Sequence, residues 1–270
     1  MIDIHCHIIP GIDDGARDME EAIKMARIAY KDGITDIVAT PHFMEEGMYR
    51  NNNEISGKVD ELNRVMEKEG INIKIMMGNE VYISPNLPEL LELGQVNTIN
   101  NTQYLLMEFP MFDIPNYTED VIYRLKLMGI TPIIAHPERY REVIENPNIL
   151  IKFIEQGVLL QANSGSITGK FGEKIGMTVD TLISQNMIHL VSSDGHSSRG
   201  RTPKLKRAYE KVKAIHGQAK ANKLFYSNPE SVVNNQTIII DEPIAINKRK
   251  SKVNSVFQMF MRPAKNSLSR

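Results

Sequence analysis

Residues 1–15 of the chain read MIDIHCHIIPGIDDG. A short apolar run predicts a β-strand that leads into two histidines, His5 and His7. Residues two apart in a strand project from the same face, so both imidazoles would point to one place. Asp14 follows in a glycine-bounded turn. Two histidines and a carboxylate this close together indicate a divalent metal site, although an HxH pair alone is a weak signal.

The composition is that of an ordinary soluble globular protein. The chain has 270 residues, of which 41% are hydrophobic and 24% are charged, enough for one large domain. The formal net charge of -1 gives no sign of general nucleic-acid affinity. Residues 247–270 carry seven Lys or Arg and no acid, which leaves -8 on the rest. We therefore expect a single acidic domain over residues 1–246 and a flexible basic tail over residues 247–270.

The compartment is predicted from what the sequence lacks. Cys6 is the single cysteine, which excludes an intrachain disulfide and fits a reducing compartment. No apolar run reaches 18 residues, and His5 and His7 interrupt the N-terminal apolar run that a signal peptide would need. We expect a cytoplasmic protein. The tail mixes cations with apolar residues, which fits either weak contact with the inner membrane face or a solvated, disordered segment.

Short β-type runs alternate with longer amphipathic segments. The predicted strands are Ile2–Cys6, Thr35–Ala39, Ile71–Met77, Tyr104–Glu108, Thr131–Ala135, Val158–Gln161 and Ile188–Ser192. The predicted helices are Met19–Lys31, Asn53–Lys68, Thr118–Met128, Asn146–Glu155, Lys174–Gln185, Pro203–Ile215 and Gln218–Tyr226, followed by a turn at Pro229–Asn234 and an extended segment from Thr237. This alternation predicts an α/β protein built from parallel βα units. A closed barrel is favoured, and periodicity alone leaves an open sheet as the alternative.

Six of the seven predicted strands end at, or are followed by, a histidine or an acid. These residues are His5, His7, His42, Glu80, Glu108, His136, Asp194 and His196. The C-terminal ends of the strands of a parallel barrel meet at one mouth, where active sites lie. With Asp14 they make nine metal donors, which are too many for one ion and suit two or three. Imidazole and carboxylate ligands without a thiolate suit Mn, Fe or Zn.

Cations close to these donors indicate an anionic substrate. Arg139 follows His136 at the same rim, and its planar guanidinium matches a phosphate, although pairing with a nearby acid is an equally good interpretation. Arg199 and Arg201 offer a second cation. Residues 165–170 lack the spacing of a phosphate-binding P-loop, which argues against nucleotide binding there. No Cys-x5-Arg element follows Cys6, which argues against a thiol-based phosphatase.

The donors lie in motifs that follow one another in a characteristic order. These are Met1–His7, Asp13–Gly15, Ala39–His42, Gly78–Glu80, Leu106–Pro110, Ile134–Arg139 and Ser193–His196. They resemble the motifs of the PHP (polymerase and histidinol phosphatase) superfamily. The resemblance is close to its bacterial branch of manganese-dependent protein-tyrosine phosphatases, the YwqE/CpsB type. Three positions depart from that branch, namely Asn79 in place of Gln, Tyr140 in place of Asn, and 194–197 reading DGHS in place of DAHN.

The resemblance implies a distorted (β/α)7 TIM-like barrel, the PHP fold, with a cluster of up to three ions. The implied ligands are His5, His7, Glu80 and Asp194 for one ion, Glu80, Glu108 and His136 for a second, and Asp14, His42 and His196 for the third. Arg139 and Arg201 would bind the phosphate. These two arginines, His42 and His196 would be the catalytic residues. Mn is the metal that the resemblance favours, with Fe, Zn or Co as alternatives.

The implied activity is hydrolysis of phosphotyrosine by a metal-bound hydroxide. The implied partner is a cognate bacterial tyrosine kinase that controls capsule or exopolysaccharide synthesis. A histidinol-phosphate or other small phosphomonoester phosphatase is the alternative enzyme. A catalytically silent PHP binding domain is the alternative outside enzymology. The sequence leaves the oligomeric state open.

Overall fold

The structure is a computed structural model that describes residues 1–47, 49 and 52–247, with residues 52 and 53 described by their backbone alone. Nine strands alternate with eleven helices along this part of the chain. The strands are β1 (Ile2–Cys6), β2 (Asp36–Ala39), β3 (His42–Phe43), β4 (Lys74–Met77), β5 (Glu80–Tyr82), β6 (Tyr104–Glu108), β7 (Thr131–Ala135), β8 (Leu159–Asn163) and β9 (Leu190–Ser192). The helices are α1 (Met19–Asp32), α2 (Asn52–Lys68), α3 (Leu87–Glu92), α4 (Thr118–Leu127), α5 (Arg141–Glu145), α6 (Ile151–Glu155), α7 (Ser164–Ile167), α8 (Glu173–Ser184), α9 (Lys206–His216), α10 (Gln218–Asn222) and α11 (Asn228–Val233).

All seven predicted strands form, and the differences lie at element ends and in short helices. The helix predicted from Pro203 begins at Lys206, because the Asp32 carboxylate accepts hydrogen bonds from the backbone N–H groups of Leu205 and Lys206 and so fixes its start. The turn predicted at residues 229–234 is helix α11, with Pro229 in its first turn. Helices α3, α5 and α7, which have at most six residues each, were not predicted.

The strands form two parallel sheets, β1-β2-β4 and β3-β5-β6-β7-β8-β9. Two residues, Thr40 and Pro41, separate β3 from β2, and two residues separate β5 from β4. Each pair therefore occupies one strand position of the barrel, interrupted where the hydrogen bonding changes from the first sheet to the second. Pro41 has no N–H to donate to a ladder, which explains a break there. At the other edge, the amide of Asp194 donates to the carbonyl of His5 at 2.9 Å. The predicted distorted (β/α)7 fold is confirmed, and within the described part of the chain its strands form two hydrogen-bonded sheets and not one continuous sheet.

Apolar side chains form two clusters, one outside the strands and one inside the barrel. The larger one lies between the strands and the helices and includes Met25, Leu62 and Phe153. The smaller one contains at least one buried residue from each of the seven strand positions, including Ile4, Val38, Met76, Leu106, Ile133, Leu159 and Leu190. This layer fills the interior of the barrel, so the polar side chains are confined to its two ends.

Residues 235–247 contain no helix or strand and run beneath the N-terminal ends of the strands. The Tyr104 hydroxyl, at the start of β6, donates to the carbonyl of Gln236 at 2.6 Å. The Ile244 amide donates to the carbonyl of Gln185 at 2.9 Å, close to the start of β9. The predicted basic tail falls outside the described residues from position 248. Among the described residues, no helix is both long enough and apolar enough to cross a membrane.

Candidate metal centre

The nine predicted donors lie together at the C-terminal ends of the strands, which we call the mouth. Their nitrogen and oxygen atoms form three overlapping groups, each with donor atoms within 4.8 Å of one another. The groups are His5, His7 and Glu80; His42, Glu80 and Glu108; and His7, Asp14, His42 and His196. His136 and Asp194 adjoin the first two groups through Glu80 and the histidines.

The distances within the first group are those expected for ligands of a common ion. His5 Nε2 lies 3.2 Å from His7 Nε2, and each nitrogen lies 3.2 Å from Oε2 of Glu80. Oδ1 of Asp194 lies 3.5 Å and 3.6 Å from the same two nitrogens. Ligands about 2.1 Å from one ion, at tetrahedral or octahedral angles, are about 3.0–3.4 Å apart. The four residues therefore have the spacing of a coordination shell.

Both oxygens of Glu80 face donors, and they face different ones. Its Oε1 lies 3.0 Å from His136 Nε2, which is also 3.4 Å from Oε1 of Glu108. Its Oε2 lies 3.0 Å from Nδ1 of His42. The other ring nitrogen of His42, Nε2, is 3.5 Å from Oδ1 of Asp14. Glu80 thus belongs to two donor groups, as a bridging carboxylate does, while His42 contacts residues of two groups with its two ring nitrogens.

Asp194 divides its two oxygens between the donors and the cations. Its buried Oδ1 has no hydrogen-bond partner among the described residues, an arrangement that costs about 1–3 kcal/mol unless a ligand compensates it. Its Oδ2 accepts from Asn163 at 2.6 Å, from Arg139 at 3.2 Å, and from Arg201. Although burial opposes ionisation, His5 and Arg201 hold the pKa of Asp194 well below its usual range. An orphaned carboxylate oxygen beside two imidazoles fits a bound divalent cation.

Burial opposes charge elsewhere at the mouth. Burial, and then the adjacent Glu80 carboxylate, raises the pKa of Glu108 to about 7. Burial lowers the pKa of His136 to about 4. A divalent cation reverses this balance, since it favours ionised carboxylates and requires neutral imidazoles. The donor set therefore suits an ion better than it suits the protein alone.

The first two histidines are held by partners that the sequence analysis did not assign. Nδ1 of His5 lies 2.8 Å from Oε1 of Gln161, and Nδ1 of His7 lies 2.7 Å from Oδ2 of Asp13. Hydrogen bonds at Nδ1 leave Nε2 of each ring free to coordinate, and such partners orient metal-ligating histidines. Oδ2 of Asp13 also accepts from the amide of His42 at 3.0 Å.

Strand β8 has no predicted donor, and it supplies amides instead. Gln161 and Asn163 are two apart on this strand, both fully buried, and Gln161 Nε2 donates to Asn163 Oδ1 at 3.1 Å. The backbone N–H of Asn163 donates to the carboxylate of Glu138 at 2.9 Å. Two buried amides at alternate positions of an apolar strand were the sequence signal for this role, because they share the face that points into the mouth.

A β-bulge explains how both Ile4 and His5 point inward. The register between β1 and β2 shifts between Asp3 and Cys6, whereas β2 and β4 pair without a shift. A bulge moves the following side chains to the other face of the strand. His5 and His7 therefore enter the mouth together, as predicted, and Cys6 packs in the core on the opposite face.

Two site residues have a backbone conformation that is rare outside glycine. Among the described non-glycine residues with positive φ, four are asparagines, which tolerate it well, and the other two are His136 and Asp194. Their φ values are 34° and 51°. Each follows a strand directly or by one residue, so the chain turns sharply and aims the side chain into the mouth. Strain of this kind is concentrated at functional sites.

Gly15 allows the loop that carries Asp14 to lie against β1. A Cβ at this position would lie 2.1 Å from the carbonyl oxygen of His7, which no side chain can accept. The adjacent amide of Ala16 donates to the same oxygen at 3.0 Å. The glycine therefore brings Asp14 within 3.4 Å of Nε2 of His196.

The fold and this site define a class, the metal-dependent hydrolases of barrel architecture. Residues 1–234 match the capsular polysaccharide synthesis CpsB/CapC family. The chain is 38% identical to tyrosine-protein phosphatase YwqE of Bacillus subtilis over 251 residues, which cover 93% of this chain and 98% of that protein. It is 32% identical to tyrosine-protein phosphatase CpsB of Streptococcus agalactiae serotype III over 244 residues, or 88% of this chain and all of that one.

A solved structure gives the same result in three dimensions. It comes from work on YwqE of Bacillus subtilis and CpsB of Streptococcus pneumoniae, described as metal-dependent tyrosine phosphatases. Its TM-score with this chain is 0.89 at 38% identity, and the match covers 92% of this chain and 100% of that one. The chain belongs to the CpsB/CapC family, and the resemblance seen in its motifs is confirmed.

Proposed function

We propose that this chain is a metal-dependent protein-tyrosine phosphatase. The observation that carries the proposal is a ring of nine donors, with groups spaced as ion ligands, adjoining two arginines at the same mouth. The names of the curated relatives support phosphotyrosine as the substrate. A catalytically silent binding domain would have no need of this complete set of donors.

The donor groups suggest how three ions would be held. The proposed ligands are His5, His7, Glu80 and Asp194 for the first ion, Glu80, Glu108 and His136 for the second, and Asp14, His42 and His196 for the third. The two oxygens of Glu80 face the first and second sets, which supports a bridging role. Mn is our preferred metal, with Fe, Zn or Co as alternatives, since nitrogen and oxygen donors accept all of them. Such ions supply a nucleophile by lowering the pKa of water from 15.7 to about 7.

The chain's own residues would position the phosphate and neutralise it. Arg139 and Arg201 both contact Oδ2 of Asp194, so their guanidinium groups lie beside the donors, where phosphate oxygens would be bound. Asn163 keeps its hydrogen bond to the same oxygen and would hold Asp194 in place when the arginines engage substrate. The leaving phenolate has a conjugate acid with a pKa of about 10, so strong acid catalysis is unnecessary.

We infer that the substrate is a phosphotyrosine protein, in particular a cognate bacterial tyrosine kinase of capsule or exopolysaccharide synthesis. The description of the family, capsular polysaccharide synthesis, supports this partner. The cytoplasmic location and contact of the basic tail with the membrane stay predictions. Binding to anionic liposomes that is unchanged after deletion of residues 247–270 would remove the membrane contact.

The test uses the metal-loaded protein with two substrates, a phosphotyrosine peptide and histidinol phosphate. We expect Mn-dependent release of phosphate from the peptide, loss of activity in His136→Ala, and full activity in the control His216→Ala. The control is apt because His216 is paired with Asp180 on the surface, outside the mouth.

Three outcomes would contradict the proposal. Preference for histidinol phosphate would indicate the small-substrate phosphatase. A metal-loaded protein without activity would indicate the silent binding domain. Near-normal turnover by His136→Ala would remove the proposed metal site. Elemental analysis of the purified protein identifies the ions and their number.

A further inference from the structure

A second cavity adjoins the mouth, and none of the proposed metal ligands lines it. It has a volume of about 160 Å³ and lies between residues 164–171, after β8, and residues 193–208, after β9. A water molecule takes about 30 Å³ in the liquid, so the cavity has room for about five waters or for one compact polar group. The cavity lies next to the ends of β8 and β9, close to Asn163 and Asp194, and therefore adjoins the site where Arg139 and Arg201 are proposed to bind phosphate.

Cations dominate the wall of this cavity. Lys170, Arg201, Lys204 and Arg207 line it, and its lining contains no carboxylate. Within the described part of the chain, neither Lys204 nor Arg207 has an ion pair. Residues 1–246 have a net charge of -8, so four cations around one hollow are opposite to the general trend. Such a concentration of positive charge favours an anionic ligand.

Arg207 lies where the helix itself disfavours it. It is in the first turn of α9, which contains no acidic residue, and cations at a helix N-terminus oppose the helix dipole. Two of the backbone N–H groups there are already used, because Asp32 accepts from Leu205 and Lys206. A ligand in the cavity would therefore be bound by side chains.

The cavity and the phosphate site share two walls. Arg201 lines the cavity and also contacts Asp194 at the mouth. Phe171 lines the cavity, and the guanidinium of Arg139 lies 5.2 Å from the centre of its ring. A Cβ at position 165 would lie 2.9 Å from the Phe171 ring, so the glycine allows this ring to pack against the backbone of residue 165. Burial, and to a smaller extent the nearby Arg201, lowers the pKa of Lys170.

We propose that this cavity binds a second oxyanion of the same substrate, carried by a side chain close to the phosphotyrosine being hydrolysed. The inference rests on the proposed phosphatase activity. The shared chemistry is a dianionic phosphate or a carboxylate, and a second phosphotyrosine satisfies it best, since it presents two charges to three cations besides Arg201, namely Lys170, Lys204 and Arg207. The cavity is thus a specificity site that selects multiply phosphorylated tyrosine segments.

The experiment measures kcat and KM of the Mn-loaded protein on three peptides of one sequence. One has a single phosphotyrosine, one has a second phosphotyrosine nearby, and one has glutamate at the second position. We compare the wild type with Lys204→Gln/Arg207→Gln. The control is Lys206→Gln/Lys213→Gln, which removes the same charge from exposed positions of α9 that do not line the cavity.

We expect the wild type to prefer the doubly phosphorylated peptide by about tenfold in kcat/KM. Lys204→Gln/Arg207→Gln should lose this preference through KM, while its turnover of the single phosphotyrosine peptide stays within about twofold. The control should keep the preference. An equal gain with the glutamate peptide would show that any oxyanion is accepted, and a gain with the second phosphate alone would identify phosphate as the ligand.

Absence of the preference in the wild type, or its persistence in the cavity variant, overturns the inference while leaving the phosphatase activity intact. Loss of the preference in the control to the same extent also overturns it, because general charge would then be the cause. No turnover of any peptide by the wild type overturns the proposed function and this inference together.

Discussion

The two ends of the barrel differ in how their buried polar groups are paired. At the mouth, imidazoles and carboxylates approach one another at 3.0–3.6 Å, and Asp194 Oδ1 has no hydrogen bond among the described residues. At the N-terminal end, Asn228 and His189 are paired with the backbone, and Nε2 of His189 is the exception, since this buried atom has no hydrogen-bond partner among the described residues. Asn228 Nδ2 donates to the carbonyl of His189 at 2.7 Å, and the Leu160 amide donates to His189 Nδ1 at 3.0 Å.

This difference shows which end is built for stability and which for binding. Each backbone pair at the N-terminal end satisfies a group that would otherwise be costly to bury. At the mouth, Oδ1 of Asp194 has no hydrogen-bond partner among the described residues and the Glu80 carboxylate opposes ionisation of Glu108, and a bound cation would relieve both. Substitutions at the mouth should therefore change activity more than stability, and substitutions at the N-terminal end should do the reverse.

The largest effect is expected for Glu80→Gln. An amide cannot provide the charge that both neighbouring donor groups need, so kcat/KM should fall by at least about 10³-fold. The unfolding free energy of the metal-free protein should fall far less than activity does, because the amide keeps the shape of the side chain and loses only the pairing with imidazoles that holds the pKa of Glu80 well below its usual range. Phosphotyrosine turnover and urea denaturation in chelator measure the two quantities. A metal-free variant that unfolds much more easily would break the distinction between the two ends.

A smaller loss of activity is expected for Gln161→Ala, which removes the hydrogen-bond partner of His5 Nδ1. The ring would lose its fixed orientation, and metal affinity should fall by about 10–100-fold. Calorimetric titration with Mn measures this affinity. Excess metal should restore most of the activity, and an affinity equal to that of the wild type would show that Gln161 only packs.

The N-terminal end should respond to pH through His189. Burial, and then Lys223 and Lys220, lowers the pKa of His189 to about 3 from its ordinary 6.5. Between these values the unfolded chain binds a proton that the folded chain does not, so stability falls as the pH drops from 6.5 toward 3. The slope for one group is about 1.4 kcal/mol per pH unit.

The variant His189→Gln should reduce this acid dependence by one proton. Urea denaturation of both proteins in chelator, at several pH values below neutrality, gives the two slopes without a contribution from metal release. Parallel slopes would mean that His189 does not stay neutral in the folded protein. Phosphatase activity per folded molecule should be unchanged at neutral pH.

The smallest effect is expected for Tyr104→Phe, which removes the hydrogen bond from its hydroxyl to the carbonyl of Gln236. One such bond contributes about 0.5–1.5 kcal/mol. We expect an unfolding free energy lower by that amount and unchanged kcat/KM. A loss of activity would show that the segment beneath the barrel influences the mouth.

Much of the site is predictable because it depends on local sequence. Strand periodicity and the position of donors after each strand place His42, Glu108 and His136 at one mouth without any knowledge of tertiary contacts. The donor chemistry is equally local. The CpsB/CapC resemblance depends on these same motifs.

The rest depends on contacts between segments that are distant in the sequence. The bulge in β1 is defined by its pairing with β2 and is not visible in the run Ile2–Cys6. The partnership of Gln161 with His5 joins residues 156 positions apart. The positive φ of His136 and Asp194 has only a weak sequence signal, since histidine and aspartate adopt it more often than most residues but not as a rule.

The two oxygens of Glu80 face two donor groups, so ions held by those groups would share one ligand. An ion that fixed the orientation of Glu80 would prepare its other oxygen for the next ion, and we expect this effect to outweigh the repulsion between the ions, so that each ion would raise the affinity of the other by the same factor. Metal titration should be steeper than for independent sites. At low metal supply the population would then consist of fully loaded and metal-free molecules, with few intermediates, and activity would respond to metal concentration as a threshold.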